Sequence, residues 1–265
     1  IIADNGSNDG SRAFLDGLER LGIVTVLDFP DVVGQKPQLP AYERILRSCS
    51  PDIDLLAFID ADEFLVPLEP EQSITTSLSE WFSDPSINAV AMNWANFGSN
   101  GELFTEEGLV IERFTQRAPQ KFHANHNFKS IVRPSITSRF SNPHHAELDH
   151  GRYIDASGND LILHPKYGKG VSAEVVWNGV RVNHYVVKSL EEFLLGKHLR
   201  GSAATAKRVK HKAYFKAHDR NDETCLLAAA LAPKVKAEMA ALQAQLDALP
   251  EEESPQKSDS WLATR

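Results

Sequence analysis

Hydrophobic and polar positions alternate in a strand–loop–helix–strand rhythm over the first hundred residues. Residues 1–3, Ile-Ile-Ala, read as the tail of a strand. They run into DNGSNDGS at 4–11, where Asn5-Gly6 and Asp9-Gly10 are strong turn signals. Phe14, Leu15, Leu18 and Leu21 then recur at helical spacing, and Gly22 supplies a stop. A strand is predicted over 23–27, a loop over 30–40, and a helix over 40–49 with Pro40 at its first position. This order is the unit of a parallel sheet with helices outside it.

The pattern converges on residues 55–65, LLAFIDADEFL, where an apolar run ends in Asp60, Asp62 and Glu63 before Phe64 and Leu65 resume it. A short continuous apolar run predicts a strand buried on both faces. Carboxylates at the carboxyl end of such a strand lie where open α/β sheets bind ligands. Two aspartates one residue apart repel each other unless a positive charge sits between them. A hard divalent cation, Mg²⁺ or Mn²⁺, completed by water and phosphate oxygens, suits that role. The plain alternative is a polar turn, since D-x-D alone is a weak signal.

A helix follows over 74–82, with Ile74, Leu78, Trp81 and Phe82 on one face, then a strand over 87–94 and a turn-rich segment at 93–101. Past Gly101 the pieces shorten. Strands are predicted over 110–114, 129–133, 161–164 and 180–185, separated by loops rich in His, Asn and Pro. Ser189 and Glu192 form a capping box for a helix ending near Gly201. Residues 224–249 are helical by propensity, with Pro233 expected to break or kink the helix. A single domain over 1–249 is expected: a nucleotide-binding half at 1–101, a half for a second substrate at 102–223, and helices at 224–249. Residues 250–265 read as a disordered tail.

Composition adds little that is specific. The 265 residues are 42% hydrophobic and 24% charged, enough for one α/β domain with a sizeable core. A net charge of −8 argues against a nucleic-acid partner. Cys49 and Cys225 lack metal or redox spacing and read as reduced, buried thiols of a cytosolic protein. No apolar run is long enough for a membrane span. Because the sequence opens on Ile1 within a strand, a preceding N-terminal piece is expected.

Three segments taken together carry a resemblance: DNGSNDGS at 4–11, FIDADEFL at 58–65 and VNHYVVKSLEEFLLGKHLRG at 182–201. They resemble glycosyltransferases of the GT-A fold, and more narrowly glycosyltransferase family 92 and related bacterial family-2-like enzymes. NWANFGSNG at 93–101, FKSIVRP at 128–134 and YFKAHDRND at 214–222 look like later motifs of that family. The match spans roughly 1–227. One departure is that the family's first strand, ending in an Asn-Glu pair of the nucleotide pocket, has no counterpart here.

The resemblance implies a GT-A-like, mostly parallel sheet and an inverting, Mn²⁺- or Mg²⁺-dependent transfer of a sugar from a nucleoside diphosphate donor, UDP-linked, to a glycan or glycoconjugate. The reaction would occur on the cytoplasmic side, with peripheral membrane contact as an option. Asp4 resembles the nucleoside-binding acid; its alternative is an Asx-turn. Asp60 and Asp62 resemble the D-x-D pair, with Asp62 the direct metal ligand and Asp60 on ribose or a metal-bound water. Glu63 would support them or anchor the turn. His184 resembles the imidazole that completes the metal shell. Lys129, Lys188, Lys197 and Arg200 are the diphosphate candidates. The basic run from Lys207 to Lys216 reads instead as a solvated face, with affinity for anionic membranes as a rival. For the base that takes the acceptor proton, Asp222 is favoured over Glu147, with Asp149 nearby. His123, His126, His144, His145 and His150 read as polar loops lining a sugar cleft rather than a zinc site. Two rivals stand beside this reading: a nucleotidyltransferase using the same metal–phosphate site, and a non-catalytic module binding glycans or nucleotide sugars.

Overall fold

The structure, a computed structural model, describes residues 1–29, 36–69, 71–200 and 209–250, excluding the Arg200 side chain. Its N-terminal layer holds β1 (Ile2–Asp4), α1 (Ser11–Arg20), β2 (Val26–Asp28) and α2 (Gln38–Arg47). Next come β3 (Leu56–Ala57), β4 (Glu63–Pro67), α3 (Ile74–Trp81) and β5 (Ile87–Asn96). The middle region comprises α4 (Val110–Arg113), β6 (Gln116–Arg117), β7 (Phe128–Val132), β8 (Thr137–Phe140), β9 (Ala146–Leu148) and β10 (Arg152–Asp155). The chain continues through β11 (Leu163–His164), β12 (Gly168–Ser172), β13 (Val180–His184), α5 (Leu190–Glu192) and α6 (His198–Arg200), and ends with α7 (Lys212–His218), β14 (Glu223–Thr224) and α8 (Ala232–Asp247).

The protein is of mixed α/β class, and its main sheet is mixed. Order runs β3-β7-β5-β13-β4, with β10 also on β5. β5 is parallel to β10 over its first half and to β13 over its last residues, while β7 runs antiparallel along its other side. β3–β7 and β4–β13 are antiparallel as well. The mostly parallel sheet expected from the sequence is therefore replaced by one with more antiparallel than parallel pairs.

The centre also moves. The run at 55–59 predicted a strand buried on both faces, but β3 spans two half-buried residues and occupies the end of the sheet order. β5 is the central strand, ten residues long and buried at nine of them. Val90, Met92, Ile131, Val180 and Val182 build the core on one side, with Trp81 and Ile87 packed among them. Such fully buried side chains contribute about 1.5–3 kcal/mol each. β1 and β2 form a separate parallel pair, joined to the body through Ala3 and Leu27 packing near Tyr42 and Phe58.

Two other expectations change. Residues 110–114, read as a strand from Val110 and Ile111, form the short helix α4, whose opening turn is closed by Leu109 N–H donating to Glu112 Oε2 at 3.3 Å. The helix expected over 224–249 is cut short at Pro233: α8 begins at Ala232, with Pro233 in its first turn, where its missing N–H costs nothing, and Glu223–Thr224 belong to β14. The Ser189 capping box forms as read, with Glu192 N–H donating to Ser189 Oγ (3.2 Å) and Ser189 N–H to Glu192 Oε2 (3.3 Å). The cysteines are free and half-buried rather than buried. No helix among the described residues is long and apolar enough to cross a membrane. The tail expected over 250–265 lies, from 251 on, outside the described residues, as do Lys207 and Arg208.

Candidate functional site

Asp60 and Asp62 lie in the turn between β3 and β4, and Glu63 opens β4. Glu63 N–H donates to Asp60 O at 2.9 Å, and Asp60 N–H donates to Glu63 Oε2 at 3.1 Å, so Glu63 anchors the turn that presents both aspartates. Tyr185 N–H donates to Asp62 O at 2.9 Å, tying the turn to the end of β13. Glu63 and His184 face each other in the β4–β13 register. Beneath the turn, Phe58 stacks on Tyr42 at 3.9 Å with Phe140 edge-on to both. This aromatic support fixes the direction in which the chain leaves β3.

Two lysines meet these carboxylates. Lys129, on the buried strand β7, places Nζ 3.2 Å from Asp60 Oδ2 and 3.4 Å from Glu63 Oε2. Its side chain is 0% exposed, so the charge is tolerated only through these partners. The contact is ionic without hydrogen-bond alignment, and Glu63 Oε1 has no partner among the described residues. Burial pushes the Glu63 carboxyl up to about 8 against the pull of Lys129. Burial opposes the charge on Lys129, yet Glu63 and Asp60 outweigh it and hold the ammonium above its usual range. Asp60 Oδ1 also accepts from Gln38 Nε2 at 2.9 Å and Tyr42 Oη at 3.4 Å.

Asp62 has a different set of neighbours. Its Oδ2 lies 2.5 Å from Lys197 Nζ and 3.7 Å from His184 Nε2. Burial alone would raise this carboxyl; His184 and Lys197 together hold it well below the usual range. Burial lowers the His184 pKa although Asp62 pulls the other way. Lys197 comes from a π-helical stretch, Phe193–Lys197, between α5 and α6, whose widened turn places it opposite Asp62.

A metal ion can be tested against this geometry. Asp62 Oδ2 and His184 Nε2, 3.7 Å apart, can both lie within bonding distance of one ion between them. His184 Nδ1 is buried and has no partner among the described residues, so its hydrogen bonds do not commit the ring to a structural role. No three His, Cys, Asp or Glu converge on a point among the described residues. The protein's share would therefore be Asp62 and His184, with water and other oxygen ligands completing the shell. Asp60 is directed to Lys129, Gln38 and Tyr42 rather than to that pair. These residues fit a divalent ion if Lys197 leaves Asp62.

The remaining sequence candidates are distributed around the fold. Asp4, at the end of β1, accepts from Ser7 Oγ at 2.6 Å and Ser7 N–H at 3.2 Å, and these bonds with Arg12 lower its pKa. That is Asx-turn geometry. Lys188 is half-buried and turns the chain at φ 55°, just ahead of the capping box. The Arg200 side chain lies outside the described residues. Glu147 is held by Arg139 at 2.7 Å and by Lys169, which pull it down to about 2. Asp222 pairs with Arg220 at 2.7 Å, and that bond lowers its pKa. Asp149 is exposed.

Several contributors had no individual role assigned from the sequence. Gln38 and Tyr42 reach Asp60 only through the packing of α2. Trp94 packs its ring 4.2 Å from His184 and 5.0 Å from His144. His144 Nδ1–H donates to Phe128 O (3.0 Å), and burial brings its pKa down to about 4 with Lys129 adding to the effect. Asn125 Oδ1 accepts from Asn96 N–H and Nδ2 at 2.9 and 2.8 Å, holding the end of β5.

No protein-family model matches this chain, and no curated protein matches it.

Proposed function

We propose that the protein is a metal-dependent, inverting glycosyltransferase of GT-A-like architecture that uses a nucleoside diphosphate sugar, UDP-linked, and a glycan or glycoconjugate acceptor. The observation that carries this reading is the pairing of Asp62 with His184, 3.7 Å apart, beside the amines of Lys129 and Lys197. Two ligand atoms and two cations gathered at the ends of β-strands suit one kind of ligand well: a diphosphate that arrives with its own divalent ion. Asp62 and His184 would hold the ion, which when bound supplies charge neutralisation to the departing diphosphate.

The chain's own residues do the rest. Lys197, released from Asp62, can pair with a diphosphate oxygen as a point charge. Lys129 keeps Asp60 in place, and Asp60 then has an exposed edge for a ribose hydroxyl. Trp94 and His144 wall the site and limit water beside His184. The segment resemblances at 4–11, 58–65 and 182–201 support the same reading.

Thermal unfolding with UDP and with GDP, each with and without Mn²⁺, tests it. A ligand at about 100 times its dissociation constant adds roughly 2.7 kcal/mol to stability. A Mn²⁺-dependent rise with UDP that Asp62→Ala abolishes is the expected result. Stabilisation by UDP that ignores both Mn²⁺ and Asp62→Ala would favour the non-catalytic binding module. No response to either nucleotide would remove the transferase reading.

A further inference from the structure

We propose that His218 is the group that takes the proton from the attacking acceptor hydroxyl, an assignment that rests on the transferase reading above. His218 is the last residue of α7. Its Nδ1 bonds the carbonyl of Tyr214 at 2.9 Å, so Nδ1 carries the hydrogen and Nε2 presents a lone pair. Nε2 makes no hydrogen bond with another described residue. The ring is stacked on Tyr214 at 3.9 Å and lies 6.3 Å from His123. It is thus oriented, half-buried and still available to a ligand.

The segment after His218 fixes where that lone pair lies. Asp219 Oδ1 accepts from Ser99 N–H at 2.7 Å, and Asn221 Oδ1 accepts from Asn100 N–H at 2.8 Å. Asn221 Nδ2 donates to Asp219 Oδ1 at 2.9 Å, joining the two contacts into one clamp. The clamp grips the turn that follows β5, and β5 ends beside His184 in the parallel β5–β13 register. Gly98 permits the approach, because a Cβ there would lie 2.3 Å from Asn221 Oδ1. Tyr214, on which His218 stacks, stacks in turn on Phe193 at 6.2 Å, in the π-helical stretch that carries Lys197, the neighbour of Asp62. Burial, first, and then the nearby His123 bring its pKa down to about 4, so the ring is neutral at physiological pH. By contrast, the carboxylates of Glu147 and Asp222 are already engaged by arginine or lysine.

In the step itself, the acceptor oxygen bonds the anomeric carbon as the bond from that carbon to the diphosphate oxygen breaks. The diphosphate leaves with the bonding electron pair, and the acceptor proton passes to His218 Nε2. Atoms and charge balance without a further reactant.

The test uses the full chain with Mn²⁺ and a panel of UDP- and GDP-sugars, with water and simple saccharides as acceptors, scoring release of the nucleoside diphosphate. His218→Gln should lower turnover about 100-fold or more while the Mn²⁺–UDP thermal shift persists. His218→Ala should regain turnover on addition of imidazole, which a structural role would not produce. Turnover by His218→Gln within about twofold of wild type overturns the assignment alone, as does absence of rescue. Loss of the Mn²⁺–UDP shift in His218→Gln also overturns it, making the residue part of the fold. Wild-type protein that releases no nucleoside diphosphate from any donor overturns the transferase reading and this assignment with it.

Discussion

Lys197 Nζ sits 2.5 Å from Asp62 Oδ2 across 135 residues of chain, occupying the side of the carboxylate that also faces His184. The lysine supplies a counter-charge that adjacent acids require. A cation entering between Asp62 and His184 must first displace it. Lys197→Met should therefore bind Mn²⁺ more tightly in the absence of nucleotide. Releasing a half-buried pair of roughly 1–2 kcal/mol corresponds to about tenfold in affinity, readable by titration calorimetry. Unchanged or weaker Mn²⁺ binding would refute the displacement.

The same pair predicts a pH effect. The folded-state pKa of Asp62 lies below its unfolded value. Its contribution to stability is fully present above about pH 4 and is lost as pH falls towards the folded value. Denaturant unfolding of wild type should lose stability through this acid range. Lys197→Met should show a smaller loss, since one cause of the low pKa is gone. Parallel acid limbs in the two proteins would contradict this.

Lys129 is the more deeply committed lysine. Removing its charge in Lys129→Met leaves Glu63 and Asp60 uncompensated, with a cost of about 2–4 kcal/mol, softened because Glu63 can take up a proton. Lys129→Met combined with Glu63→Gln should recover part of that loss in urea unfolding. If the double variant is less stable than the single one by the full cost of Glu63→Gln, the two residues are not energetically coupled.

Gly98→Ala probes the clamp. The new Cβ would meet Asn221 Oδ1 at 2.3 Å and Arg220 O at 2.5 Å, the second being backbone that cannot rotate away. Overpacking of this kind costs about 1–3 kcal/mol. Proteolysis should then cut within 209–222 faster than in wild type, and a cleavage pattern identical to wild type would show that the turn and this segment are not locked together.

At the start of α5, Ser189→Ala should cost about 1 kcal/mol as the cap is lost. Glu192 also accepts from Arg113 at 2.8 Å, and Arg113 bonds Glu102 as well, so part of the network survives the substitution. A loss above about 2 kcal/mol would mean that the cap sustains the Arg113 network too.

The sequence made the chemistry of the site more legible than its scaffold. Asp60, Asp62, Lys129, His184 and Lys197, singled out from spacing and motif context, come together in space. Gln38 and Tyr42 escape because each reaches Asp60 through long-range packing that no local pattern records, whereas His144, read as part of a polar loop lining a cleft, packs beside Trp94. The scaffold was misread where period is ambiguous. A five-residue apolar run such as 55–59 does not say which faces are covered, so the central position was assigned there rather than to β5. At 110–114 Val and Ile favour a strand, yet the Glu112 N–H to Leu109 O bond (2.9 Å) and the burial of Ile111 with Phe114 and Tyr185 fold the segment into a helical turn. Alternation alone could not distinguish parallel from antiparallel neighbours, which is why the mixed sheet was not foreseen.

β5 has a consequence for the order in which this molecule can be assembled. It receives β10 along its first half and β13 along its last residues, on the same flank. During synthesis Asp60 and Asp62 leave the ribosome more than a hundred residues ahead of His184 and Lys197. Until β13 arrives, β4 has no partner strand and Asp62 has neither its lysine nor its histidine. The nascent protein thus carries an acidic turn beside open strand edges, and docking of β13 closes the edges and neutralises the turn in one event. Maturation of the site and completion of the sheet are the same step, so a chain stalled before Val180 would be vulnerable to aggregation and inert towards ligand at once.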